Sequence, residues 1–360
     1  MRRLLVIGPI PPPYHGVTIS TSLVLGNQEL RRVFAVEHID TSDRRSLKNI
    51  GQWDPWNIWL AMKSLVDLLV RLRGGPGVVY LPLSQSLPGF LRDSLLIELA
   101  ALRKWSVTIH LRGGEFRTFY DSAPRAVRWW IRHALKRTAS VGVMGANLRW
   151  IFEGIVPDER IAVVPNGTPD LALDCAAREV ETGLYLGNLR RRKGVVEALE
   201  AALLILGERP DARFIFVGEW ESPKLEATMR ARAREANGRI EFWPVATGDA
   251  KRAVLERAGY LLFCPVEPEG HPRVVLEAHA AGLPTIATNR GAIVETVVEG
   301  QTGFVVEEPV PEELADRVLR LLRDPELRDR MGRAAREHYL THLTQETADR
   351  RLAEWLGAVA

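Results

Sequence analysis

Cysteine is nearly absent: the 360 residues hold two, Cys175 and Cys264, far apart and unpatterned. That excludes a disulfide framework and a thiolate metal site, and it fits a reducing compartment. No apolar run is long enough to span a bilayer. The apolar stretch after Met1-Arg2-Arg3 meets proline too early to be the core of a signal peptide. Neither sign of charge dominates, with 48 Lys and Arg against 45 Asp and Glu, so the net charge of +3 gives no case for nucleic acid as a partner. Metal-ligand spacings, short repeats and low-complexity tracts are missing as well. The expected location is cytoplasmic, with the inner face of the plasma membrane as a peripheral site.

What remains is a globular composition, 46% hydrophobic and 26% charged, in a chain too long for one ordinary domain. Short apolar runs alternate with helical patterns through both halves. In the first half RLLVIG, VFAVEHID, GVVYLPLS, SVTIH and ASVGVMG read as strands, and ERIAVVPNG closes that half. Helices are expected at 53–73, with Trp53, Trp56, Trp59, Leu60 and Lys63 at helical spacing, at 91–103, at 123–138 and over ANLRWIFEG. Pro165-Asn166-Gly167 is a strong turn signal, and the aperiodic TPDLALDCAAREV reads as a linker. The alternation then restarts at TGLYLGNL. The fold class is α/β, with two doubly wound, Rossmann-like parallel-sheet domains facing a central cleft. The expected domains are 1–166 and 182–340, joined by a linker at 167–181, with a helical segment at 341–360.

Chemistry-bearing residues gather at the expected carboxyl ends of strands. His15 and Gly16 close the first Pro-rich turn, and His110 ends another strand. Arg190, Arg191, Arg192 and Lys193 precede Gly194 at a helix entry, where a cation and free N–H groups suit a diphosphate. In the stretch 265–291 a helix is expected over 269–281, with Pro272 in its first turn. This puts Glu269 at the helix N-terminus and Glu277 about two turns in, roughly 9–12 Å along the axis. Two acceptor-only carboxylates flanking a phosphate site suit sugar hydroxyls. Each feature also has a plain reading: a tight turn, a structural histidine, a solvated charge run, a capping acid. The helix APRAVRWWIRHALKRT joins Arg128, Trp129, Trp130 and Arg132 to further cations. It fits an anionic membrane surface, or else tryptophans turned to the core with solvated charges.

The stretch Glu269-Gly270-His271-Pro272…Glu277, its continuation EAHAAGLPTIATNRGAIVETVVEGQTGFVV, the loop Gly187-Asn188-Leu189…Lys193-Gly194 and the turn Val164-Pro165-Asn166-Gly167 resemble the retaining glycosyltransferases of family four, which have the GT-B architecture. The resemblance is strongest from Gly183 to Gly303. It implies transfer of a sugar from a nucleoside-diphosphate sugar, without cofactor or metal, to an acceptor hydroxyl; the Arg/Trp helix favours a glycan or lipid-linked acceptor, in cell-envelope polysaccharide or glycolipid synthesis. The resemblance implies catalytic roles for His110, Lys193 and Glu269. Lys193, helped by Arg192, would hold the diphosphate, and Gly16 would approach it from the other domain. Glu269, with Gly270 and His271, would face the transferred sugar, and Glu277 the ribose. The backbone of Val274 and Val275 would lie at the distal phosphate, and Trp243 and Val245 at the base. His15, Arg112, Arg128, Trp129, Trp130 and Arg132 are candidates on the acceptor or membrane side. The segment 341–360 would cross back to the first domain. One departure is Asn188, where many members carry arginine, so a second phosphate cation would come from 190–192. A nucleotide-sugar epimerase of the same fold and a non-catalytic nucleotide-sugar-binding protein remain the alternatives.

Overall fold

The computed structural model describes residues 1–45, 54–171, 173–174 and 178–360, so Trp53 and Cys175 lie outside the described residues. The chain divides into two compact units, Met1–Asn166 with Glu346–Ala360, and Gly167–Gln345.

In the first unit β1 (Arg2–Gly8), β2 (Phe34–Asp40), β3 (Val78–Pro82), β4 (Ser106–His110), β5 (Ser140–Val143) and β6 (Ile161–Val163) form one sheet in the order β2-β1-β3-β4-β5-β6. Every pairing is parallel. The strands are near-continuous apolar runs because helices cover both faces. On one face the last helix, Gln345–Ala358, sets Leu352, Trp355 and Leu356 against Leu4, Val6, Tyr80 and Val164. Trp355 Nε1 donates to Ser140 Oγ at 2.8 Å, and Asn27 Nδ2 donates to the Asp349 carbonyl at 3.0 Å.

The second unit holds β7 (Thr182–Leu186), β8 (Arg213–Val217), β9 (Ile240–Trp243), β10 (Tyr260–Phe263), β11 (Thr285–Thr288) and β12 (Gly303–Val306), in the order β12-β11-β10-β7-β8-β9 and again parallel. Its two larger apolar clusters fill opposite faces. One is built on the helix Val195–Glu208 and the other on Val275, Ala278 and Leu283.

Several expected elements differ. The first long helix is Pro55–Arg71, started by Pro55 and capped by the Asp54 carboxylate, which accepts from Trp56 N and Asn57 N. The next begins at Leu87 rather than 91, because Pro88 suits a first turn. ANLRWIFEG forms a tight 3-10 turn over Ala146–Phe152 instead of an α-helix. A short helix, Phe116–Ser122, has no counterpart in the sequence reading. At the start of the stretch expected as a linker, Thr168 N donates to the Leu343 carbonyl at 3.0 Å within the second unit. No described helix is long and apolar enough to cross a membrane.

Candidate functional site in the second unit

In the second sheet β7 and β10 are neighbours, and the order of strands reverses between them. The crossovers from β7 and from β10 therefore leave to opposite faces and open a crevice beyond the carboxyl ends, where ligands bind in such sheets. Residues 187–194 follow β7 and residues 264–272 follow β10.

The two loops are knitted together by main-chain bonds. The Arg192 carbonyl accepts from Val266 N at 3.1 Å and from Glu267 N at 3.2 Å. Cys264 Sγ donates to the Gly194 carbonyl at 3.3 Å, and the buried Tyr185 hydroxyl donates to the Lys193 carbonyl at 2.9 Å. Gly194 has φ 77°, and a Cβ there would lie 1.8 Å from the Cys264 carbonyl oxygen, so only glycine fits. A third loop supports the second. Arg290 Nε donates to the Val266 carbonyl at 2.9 Å, Ala292 N donates to the Gly270 carbonyl at 2.8 Å, and Gly291, at φ 59°, leaves no room for a Cβ against Glu269.

This scaffold brings Lys193 and Glu269 into a mostly buried ion pair. Glu269 is not at a helix N-terminus. The helix runs Arg273–Ala280 with Pro272 as its N-cap, and Glu269 stands in the extended loop before it. Proline disfavours helical backbone in the residue before it, which delays the helix past His271. Glu277 lies within that helix and accepts from Lys251 Nζ at 2.9 Å. The sequence reading missed Lys251, on the helix Gly248–Arg257, and Gly291. The signals were a lysine near a helix start after a strand, and the glycine of Asn289-Arg290-Gly291.

Around this pair the other expected residues take different positions. Val275 is buried and Val274 half-buried in the first turn of the helix. Arg192 is exposed, 3.7 Å from Glu267. Arg190 is half-buried, with its Nε buried and, among the described residues, without a hydrogen-bond partner. Trp243 ends β9 and donates from Nε1 to Glu241 Oε2 at 2.9 Å, and Val245 just beyond it is exposed. His271 is buried, its Nε2 2.8 Å from the Thr296 hydroxyl, and burial pushes its pKa down to about 3. The ring is neutral and anchors the loop below Glu269 rather than facing outward. Among the described residues no cluster of three or more metal-ligating side chains occurs.

Of the first-unit candidates, His110 and Arg112 meet at the Tyr80 hydroxyl. His110 lies fully buried. Its Nδ1 is 3.0 Å from the Tyr80 hydroxyl, its Nε2 is 3.0 Å from the Val164 carbonyl, and its ring meets Trp355 edge-on. Desolvation holds its pKa well below the usual imidazole value. The expected contact with a sugar is therefore not available to this ring without breaking one of these bonds, and its position is structural. Arg112 donates to the Tyr80 hydroxyl at 2.6 Å and to Asn166 Oδ1 at 2.9 Å. His15 caps the helix Gly16–Gly26, and burial lowers its pKa. The space beside the Gly16 Cα is open. On the helix Arg125–Lys136, Trp130 turns inward and donates to Ser94 Oγ at 2.9 Å, whereas Trp129 is exposed and stacks on His133. Arg132 donates to the Tyr120 hydroxyl at 2.9 Å, and Arg128 is half-buried.

Residues 177–338 match the family model described as "Glycosyl transferases group 1". The match spans most of the second unit, which is therefore similar to the group 1 glycosyl transferases. A D-inositol 3-phosphate glycosyltransferase of Segniliparus rotundus is 30% identical over 216 residues, covering 56% of this chain and 48% of that protein. A GDP-mannose-dependent monoacylated alpha-(1-6)-phosphatidylinositol monomannoside mannosyltransferase of Corynebacterium glutamicum is 32% identical over 171 residues, covering 46% and 44%. The chain thus spans about half the length of these curated relatives. Among solved structures, HepE of Anabaena in complex with UDP superposes with a TM-score of 0.74 at 15% identity, covering 99% of this chain and 100% of that one. A glycosyltransferase from Rickettsia africae gives 0.71 at 17%, covering 99% and 98%. With two six-stranded parallel sheets in the chain, these likenesses establish the two-domain α/β fold called GT-B.

Proposed function

We propose that the chain is a retaining, metal-independent glycosyltransferase. It moves a sugar from a nucleoside-diphosphate sugar to a hydroxyl of a glycan or lipid-linked acceptor, in cell-envelope polysaccharide or glycolipid synthesis. The observation that carries this reading is the Lys193–Glu269 pair at the strand-order reversal of a unit similar to the group 1 glycosyl transferases. A donor entering the crevice exchanges that pair for two better-matched contacts. Its diphosphate takes Lys193, and the hydroxyls of its sugar take Glu269.

Charge grows on the diphosphate as the glycosidic bond breaks. Lys193 and the helix N-terminus that begins at Arg273 and Val274 are preorganised against that charge, which is usually the largest catalytic contribution, while the Val275 N–H donates to the Pro272 carbonyl at 3.2 Å and braces that turn. Arg190 is the better second cation in place of Asn188. Its guanidinium is half-buried in the same loop, and among the described residues no carboxylate pairs with it, whereas Arg192 leans on Glu267. Glu277, held by Lys251, takes the ribose, and the base lies at Trp243 and Val245. Retention follows from attack on the face the diphosphate leaves, with the departing phosphate accepting the acceptor's proton.

The test is incubation with UDP- and GDP-sugars, with nucleotide release and the anomeric configuration of the product followed together. Nucleotide release with the anomer retained supports the reading. Binding without release marks a non-catalytic binder, and an epimerised donor marks an epimerase; either result overturns it.

A further inference from the structure

A surface helix ordinarily buries its apolar side. Pro55–Arg71 buries Ser64 and Leu68 on a narrow side and turns its apolar side outward. Trp56, Trp59, Met62, Val66 and Val70 follow at intervals of three and four and are 46%, 51%, 56%, 55% and 56% exposed. Ile58 and Leu69 widen the stripe, and Trp56 and Trp59 stack at 4.9 Å. Lys63 lies within it and Asp67 at its margin, 3.9 Å apart. A contiguous exposed apolar stripe of this kind marks a surface that another phase or molecule covers.

The surrounding charge decides which. Right-handed crossovers carry Pro55–Arg71, Leu87–Leu102 and Arg125–Lys136 to one face of the first sheet, because β3, β4 and β5 succeed one another in one direction. The first of these helices packs on the second, and the second on the third. The third carries Arg125, Arg128, Arg132 and Lys136, followed by Arg137, and no acid. Exposed Leu102, Arg103 and Lys104 end the second. Glu98 of this layer is taken up by His133 at 3.2 Å and Arg137 at 3.5 Å. A second copy of the chain on this face would bring like charges together. An anionic bilayer accepts the apolar stripe and the cations at once.

We propose that the helix Pro55–Arg71 lies in the headgroup and acyl boundary of an anionic membrane, with the basic helix Arg125–Lys136 beside it over the headgroups. The basic helix supplies attraction and Trp129, while the apolar insertion belongs to the earlier helix. This inference rests on the proposed transfer to a lipid-linked acceptor for its use, but it is measured with neither donor nor acceptor present.

Co-sedimentation with vesicles of phosphatidylcholine alone and of phosphatidylcholine with phosphatidylglycerol is the experiment. The full chain is expected to bind the anionic vesicles, with a blue shift of tryptophan emission, and to bind the neutral ones far less. Trp59→Glu and Val66→Glu, at exposed positions, each lower that binding about tenfold or more while donor hydrolysis in solution is unchanged. Arg128→Glu with Lys136→Glu weakens it too, and raised salt does the same. Absence of binding to anionic vesicles overturns the proposal, as does binding that Trp59→Glu leaves intact. A dimer in solution that Trp59→Glu dissociates overturns it in favour of a second copy. Loss of donor hydrolysis in the native chain strikes at the proposed function and leaves the vesicle result standing.

Discussion

At the scale of single residues, the proposed function places the chemistry on the pair of Lys193 with Glu269, and the buried histidines shape the pH dependence of stability. Lys193→Ala or Glu269→Ala is expected to lower nucleotide release by about 10²–10³-fold, the usual cost of removing one preorganised charge partner. The melting temperature should fall as well, since the pair is mostly buried and the charge left behind loses its partner, but the fold should persist. Steady-state rates beside a thermal melt check both halves. The buried imidazoles behave differently. His271 and His279 are held neutral by burial, with pKa values pushed down to about 3, and His110 is shifted the same way. Their folded pKa values lie below the unfolded value of 6.5, so the unfolded chain takes up the protons first. The contribution of His271 and His279 is fully present above pH 6.5 and is lost progressively as the pH falls towards 3, and that of His110 is lost in the same direction. Each adds a slope approaching ~1.4 kcal/mol per pH unit in that window. Among the described residues neither ring nitrogen of His279 has a hydrogen-bond partner. His279→Leu should therefore leave stability at pH 7.5 close to native and flatten the acid slope by about a third to a half. Denaturant melts at pH 7.5 and 5 read this directly.

At the scale of elements, two glycines set the geometry of the crevice. Gly291→Ala places a Cβ 2.1 Å from the Glu269 carbonyl oxygen at φ 59°. The loop carrying Glu269 must shift, so donor affinity should fall by tenfold or more while the helix Arg273–Ala280 persists; isothermal titration with nucleotide tests it. Gly194→Ala meets the Cys264 carbonyl still more closely and should destabilise the second unit by more than ~2 kcal/mol. Most strands, their order of appearance and the residues at their carboxyl ends were legible in the sequence. Apolar runs of four to eight bounded by Gly, Pro and Asn admit few other readings. Both members of the central ion pair were legible too, because Lys193 stands beside a glycine and Glu269 beside Gly-x-Pro. The helix start was not, since Pro272 serves equally as an N-cap or a first-turn residue. The partner of Glu277 was not either, since Lys251 comes from a separate helix. The inward turn of Trp130 and the outward turn of Trp56 and Trp59 depend on which helix side meets the sheet, and neighbouring apolar residues blur that signal.

At the scale of the whole molecule, saturating nucleotide should raise the apparent stability of the second unit by ~2.7 kcal/mol at a hundred times Kd, seen as a shifted thermal transition. Chelation with EDTA is expected to leave transfer unchanged, and a loss restored by added divalent cation would refute metal independence. The first unit is assembled from two separated segments, Met1–Asn166 and Glu346–Ala360. Deleting 346–360 removes Leu352, Trp355 and Leu356 from its core, which should cost several kcal/mol at ~1.5–3 for each large side chain. Limited proteolysis should then open the first unit, while nucleotide still shifts the melting of the second. The same arrangement sets a timetable for synthesis. The half that leaves the ribosome first must wait, with Tyr80 and His110 lacking the cover of Trp355, until the half made after it is complete and the final helix has emerged.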